Sequence, residues 1–151
     1  MKRLLKMKTI LLIFLTFSLY VSSFGQKTDS LKCNISIVLE MEDSIETATG
    51  ELTVRFLKTF GQECRNNAEF SEIGNETLFK VIQKQPNLFC ETLEKYESEV
   101  DLNSILLEIE SPVIDLINLD LTKEQVSQTK INQDLKKRLL NALDKAIEKT
   151  N

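Results

Sequence analysis

The chain contains no histidine and no tryptophan. Without an imidazole, Ser–His–Asp and Cys–His catalysis are excluded, the usual zinc hydrolases lose their ligands, and the commonest general base near neutral pH is gone. Paired carboxylates could in principle cleave glycosides. With 23 acids present, however, no two of them stand out, and sugar-binding sites use an aromatic face that tryptophan would supply. Four glycines and two prolines leave too little turn punctuation for an all-β fold. No glycine-rich phosphate loop, nucleophile elbow or EF-hand loop occurs. Asp115-Leu-Ile-Asn-Leu-Asp120 carries three oxygen-bearing side chains, but apolar residues fill the gaps and no glycine permits the sharp turn of a calcium loop. No catalytic, cofactor-binding or metal-ligating residue is assigned.

The beginning of the chain has the layout of a secretory signal peptide. Lys2, Arg3, Lys6 and Lys8 precede an apolar run from Ile10 to Val21, and Ser23 and Gly25 form a small-x-small cleavage site. The run of about a dozen apolar residues falls short of the roughly 20 that span a bilayer. Cleavage after Gly25 is expected, giving an exported chain, periplasmic or secreted, that begins at Gln26. Loss of residues 1–25 leaves 126 residues with 15 Lys and Arg against 23 Asp and Glu, a balance of −8. Such acidity opposes binding to nucleic acid or to an anionic membrane, both of which demand a positive patch. One core is the expectation for this length.

Cys33, Cys64 and Cys90 match no metal-binding spacing, and an exported compartment permits one disulfide and one thiol left over. A Cys64–Cys90 bridge would pin one helix to another. The simplest account of Cys90, beside Phe89 and Leu93, is a small buried hydrophobe.

Apolar spacing predicts an all-α fold over 51–151, with 26–50 of uncertain conformation. In 26–50, Cys33, Ile35, Ile37, Leu39 and Met41 alternate as in a strand. Leu31, Ile35, Val38 and Leu39 share a helical face, with Asp29 or Ser30 as N-cap. A lone strand would have no partner, which favours the helix. A helix from about Thr49 carries Leu52, Phe56, Leu57 and Phe60 on one side. Residues 65–75 read as a connection anchored by Phe70 and Ile73, with Asn75 capping the next helix. The centre of the chain is a pair of helices around Pro86: Leu78, Phe79, Val81 and Ile82 before it, then Leu88, Phe89, Leu93 and Tyr96. Pro86 suits a first helical turn, where its missing N–H is not needed.

Beyond Tyr96, residues 97–101 form a loop and a new cap. Leu102, Ile105, Leu106 and Ile109 then define a helix closed at Ser111-Pro112. Pro112 is expected to open a short apolar helix through Leu119, and Thr122-Lys-Glu-Gln125 has capping-box form. A last helix shows Ile131, Leu135, Leu139, Leu143 and Ile147 at intervals of four. Superposing Pro86 on Pro112 gives a 26-residue offset that pairs Val81 with Leu107 and Leu93 with Leu119. It would make the fold a short stack of helical hairpins, α-solenoid-like; the alternative is an irregular helical bundle.

Three functions fit such a chain. The first is a non-catalytic protein–protein interaction module, such as an inhibitor or toxin-neutralising protein, whose acidic surface suits a basic protein partner. The second is a carrier holding an apolar ligand in a cavity near Phe79 and Phe89. The third is a hydrolase working through carboxylates alone. Asn34-Ile-Ser36 and Asn75-Glu-Thr77 match the glycosylation sequon, which matters only in a eukaryotic secretory pathway.

Overall fold

The structure, a computed structural model, describes residues 31–113 and 117–150. The expected signal peptide and its cleavage site lie outside the described residues. Among those described, all regular structure is helical, with seven α-helices and no strand.

The ambiguous N-terminal segment is a helix. α1 (Ile35–Asp43) buries Ile37, Val38 and Met41, whereas Leu39, expected on the inner face, is 45% exposed. Its cap is Asn34, whose side chain accepts from the Ile37 amide; the expected caps Asp29 and Ser30 fall outside the described residues. After a 3₁₀ turn (Ile45–Thr47), α2 (Gly50–Leu57) starts where the sequence places it. The Thr49 hydroxyl caps it by accepting from the Leu52 amide, and Leu52, Phe56 and Leu57 point inward.

The expected connection over 65–75 is instead helical from its fourth residue. A 3₁₀ turn (Gln62–Asn66) leads into α3 (Ala68–Lys84), and Asn67 caps it by accepting from the Phe70 amide. Asn75, the expected cap, sits in the interior of α3 and is fully buried. An Asn67 cap lets Phe70 and Gly74 continue the inward stripe of Leu78, Val81 and Ile82, which makes α3 the helix against which α1, α4, α5 and α6 all pack.

α4 (Pro86–Lys95) begins on Pro86 as the sequence predicts. A 3₁₀ turn (Glu97–Glu99) follows, and Asp101 caps α5 (Leu102–Ile109), accepting from the Ser104 amide at 3.0 Å. Beyond it the sequence expectation fails. Residues 111–113 and 117–118 are not helical, and the next helix, α6 (Leu119–Gln128), starts at an Asn118 cap. Asn118 accepts from the Leu121 amide at 2.9 Å, so Thr122 is one turn inside the helix and its hydroxyl donates back to the Asn118 carbonyl. Pro112 opens no helix among the described residues, and residues 114–116 lie outside them; of the pairs the 26-residue offset makes, Val81 is buried while Leu107 is 42% exposed, and Leu93 and Leu119 are both buried. The chain closes with α7 (Gln133–Thr150), which lies on α5 and α6 and buries Leu135, Leu139 and Leu143.

The core is continuous and aromatic at its centre. Phe56, Phe60, Phe70, Phe79 and Phe89 are all at most 1% exposed. Phe60 is edge-on to Phe56 at 5.2 Å and to Phe70 at 5.6 Å, the geometry ring quadrupoles favour. Gly74 lies against this cluster. A methyl group there would sit 3.5 Å from the Phe70 ring and 3.6 Å from Phe60, ordinary van der Waals distances. Because glycine costs a helix interior roughly 0.5–1 kcal/mol relative to alanine, Gly74→Ala is expected to stabilise the fold by about that amount, read as a higher urea midpoint. A lower midpoint would mean that the Phe60–Phe70 contact has no slack.

Candidate functional site

Ten of the eleven side chains expected in the core are buried: Leu52, Phe56, Phe60, Leu78, Phe79, Ile82, Phe89, Leu93, Leu139 and Leu143. Leu88 is the exception. It is half-buried, because it lies on the flank of α4 that turns toward α2 and forms the wall of a surface cleft.

That cleft encloses about 510 Å³ between α2 and α4. Two features of the sequence create it: the Thr49 cap, which starts α2 on the side-chain-free Gly50, and Pro86, which sets the start of α4. A Cβ at Gly50 would meet only Thr92 Oγ1, at 4.0 Å, so the wall there is open. Val54 and Leu88 supply apolar surface, and Tyr96 closes one end. Glu51 and Glu91 stand along the same cleft, and neither has an ion-pair partner among the described residues. The Lys95 ammonium is instead held 5.0 Å over the Tyr96 ring. Periodicity alone placed Leu88 and Tyr96 in the core. The signal that marks this flank is that Leu88, Glu91, Lys95 and Tyr96 share one helical face, which mixes charge with apolar surface.

Two smaller clefts differ in their electrostatics. One, about 400 Å³, runs between α1 and α3 beside Glu42, Glu46, Lys80 and Lys84. Lys80 pairs with Glu42 at 2.5 Å and with Glu76 at 2.8 Å, and the hydrogen bonds it donates to those two carboxylates hold its pKa above the usual lysine value. The other, about 340 Å³, is crossed by the two-pronged pairing of Arg55 with Glu40 at 3.0 and 3.2 Å. Glu40, Glu42 and Glu46 in these two clefts already face a cation, whereas Asp43, in the first, and Glu51, which also borders the second, face none among the described residues.

The cysteines do not pair as expected. The disulfide joins Cys33 to Cys64, with Cα atoms 5.4 Å apart, and Cys90 is a free, buried thiol. Cys64 lies in the 3₁₀ turn before α3, whereas Cys90 is inside α4, near Thr129 and Lys136. The two therefore belong to different contacts of the core. Burial pushes the Cys90 thiol up to about 11 from an ordinary 9.0, the Thr129 side chain drawing it partly back. Thiolate is the reactive form, so Cys90 is expected to resist alkylation at pH 8 in the native protein and to react at once in 6 M guanidinium. Its raised value also carries a sign for stability. Below about pH 8 the thiol is protonated in both folded and unfolded chains and contributes almost no pH dependence. Between about pH 9 and 11 the unfolded chain loses the proton first, so stability falls as pH rises. Alkaline melts of Cys90→Ala should lack this component of the fall.

The buried polar centre of the molecule is Asn75. Its two amide hydrogens serve three oxygens, the Glu108 carbonyl at 2.8 Å, Glu108 Oε2 at 2.9 Å and the Ser111 carbonyl at 3.4 Å. Its own oxygen accepts from the Val113 amide at 3.1 Å. This side chain ties the end of α5 and the following loop to α3, and its complete burial leaves no room for a glycan on the folded chain. Phe79 and Phe89, proposed from sequence to line a ligand cavity, are packed in the core and line none of the three clefts. No group of three metal-ligating side chains occurs among the described residues, and no described helix is long and apolar enough to cross a membrane.

Comparison with protein-family models, with curated proteins and with solved structures yields no match to this chain.

Proposed function

We propose that the chain is an exported, non-catalytic interaction module. It binds a basic protein through its acidic half, as an inhibitor or toxin-neutralising protein would, and its helices form an irregular bundle rather than a stack of repeated hairpins. The observation that carries this reading is the division of charge. Residues 31–113, which build α1 to α5, hold 16 Asp and Glu against 7 Lys and Arg; residues 117–150 hold 5 against 7. The acid excess therefore belongs to one part of the chain. A net acid excess of this kind steers oppositely charged partners and favours fast, salt-sensitive association. Two cations of α7 offset part of that excess, Arg138 pairing with Glu97 at 3.0 Å and Lys145 with Glu110 at 2.7 Å.

Two further features support the reading. A Cys33–Cys64 disulfide suits an oxidising compartment, in keeping with the signal peptide read at the N-terminus. Full burial of Phe79 and Phe89 suits a solid scaffold better than a carrier with a cavity between them.

Native mass spectrometry of the protein isolated from its exported fraction separates the alternatives. The module should appear as a complex with a second polypeptide that dissociates as ammonium acetate is raised. A mass gain of a few hundred daltons, lost only on unfolding, would replace this reading with the carrier.

A further inference from the structure

We infer that the cleft between α2 and α4 is where the partner docks, and that its occupant is a short amphipathic segment carrying lysine or arginine. The inference rests on the interaction-module reading and deepens it to a surface and a ligand chemistry. Of the three clefts, this is the largest, and Glu51 and Glu91 along it lack an ion-pair partner among the described residues. An unpaired carboxylate beside apolar surface can gain a charge-assisted hydrogen bond without first giving one up, whereas Glu40 and Glu42 would have to release Arg55 and Lys80. Val54 and Leu88 give an apolar side chain somewhere to rest between those charges. The α4 wall from Leu88 to Tyr96 is roughly 12 Å long at 1.5 Å per residue, which fits about two turns of a helix. An apolar anchor flanked by cations at helical spacing is thus the complement of this cleft. The cleft's one cation, Lys95, stands 5.0 Å from the centre of the Tyr96 ring and leaves two carboxylates against one ammonium along the walls.

The test uses the full mature chain with its disulfide intact and a synthetic 12-residue Lys/Leu amphipathic peptide as probe, followed by amide NMR shifts. The same peptide with glutamate in place of lysine is the control. The basic peptide should shift Gly50, Glu51, Val54, Leu88 and Glu91 first, and the acidic one should shift none of them. The double variant Glu51→Lys/Glu91→Lys should weaken the basic peptide by about tenfold or more, and Glu69→Lys/Glu72→Lys, two exposed positions in the first turns of α3, by less than about twofold. Gly50→Phe adds a ring at the open wall without disturbing the helix start and should also weaken binding. Equal losses in both charge-reversal pairs, or shifts spread over all of α1 to α5, would overturn the cleft assignment while leaving the acidic module standing. Absence of any basic peptide binding, with no polypeptide found in the native complex, would remove both.

Discussion

Cys33→Ser and Cys64→Ser are each expected to lower the unfolding free energy by about 3–4 kcal/mol, the cost of releasing a loop of this size in the unfolded chain. The bridge spans a sequence separation of 31 residues and fastens the segment before α1 to the turn before α3. Two hydrogen bonds sit beside it: the Cys33 amide donates to the Thr59 carbonyl at 2.8 Å, and Lys32 Nζ to the Phe60 carbonyl at 2.5 Å. Cys33 itself adopts a left-handed backbone, φ 54°, which a side-chain-bearing residue holds only when its surroundings enforce it. Breaking the bridge lets this residue relax toward a conformation it prefers, which returns part of the loss, so the chain-entropy figure is the upper bound. Cys90→Ala removes one buried sulfur atom and should cost on the order of 1 kcal/mol. Urea midpoints of the three variants, with a non-reduced peptide map, check both statements. If Cys90 proved as costly as Cys64, and a Cys64–Cys90 peptide appeared, the pairing described here would be wrong.

Asn75→Ala should cost about 1–3 kcal/mol, because it removes the buried side chain that bonds the Glu108 and Ser111 carbonyls and the Val113 amide, although Ser111 and Val113 are exposed enough to turn to water. The near-isosteric Asn75→Asp separates hydrogen bonding from volume. A carboxylate there keeps the bond from the Val113 amide, loses every donor, and faces the Glu108 carboxylate, whose Oε2 lies 2.9 Å from the amide nitrogen it replaces. N75D should be at least as damaging as N75A at pH 7 and recover part of its stability below about pH 5, where protonation restores one donor and removes the repulsion. Paired urea titrations at the two pH values give the comparison. An N75D variant equal to the parent at pH 7 would mean that the side chain is hydrated rather than locked between α3 and the loop after α5.

These two sites also mark what the sequence could and could not say. Helices with a clean apolar face and a conventional start were legible: α2 at Thr49, α4 at Pro86, α5 at Asp101, and the four-residue ladder of α7. Gly74-Asn75 reads locally as a helix start, since both residues disfavour a helix interior. Contacts from residues 33 to 38 positions away reverse that preference, and no local pattern reports them. Pro112 misled in the opposite sense: a proline before an apolar run suits a first turn, yet Asn118 is the residue that caps. The disulfide was hidden because its partner choice depends on where the segment before α1 lies, and that segment's periodicity fitted two structures. Of the cleft, only the mixed character of the Leu88–Tyr96 face was visible; its other wall, Gly50, Glu51 and Val54, comes from the packing of α2 on α4.

An acidic surface that holds a basic protein should release it as salt rises. Affinity capture of the C-terminally tagged protein from its native exported fraction, over a salt series and read by mass spectrometry, tests it most directly. One stoichiometric polypeptide of basic pI should be captured and lost progressively between about 50 and 500 mM salt, as screening shortens the reach of the charges. A protein that emerges alone at the lowest salt, or with an acidic partner indifferent to salt, would contradict it.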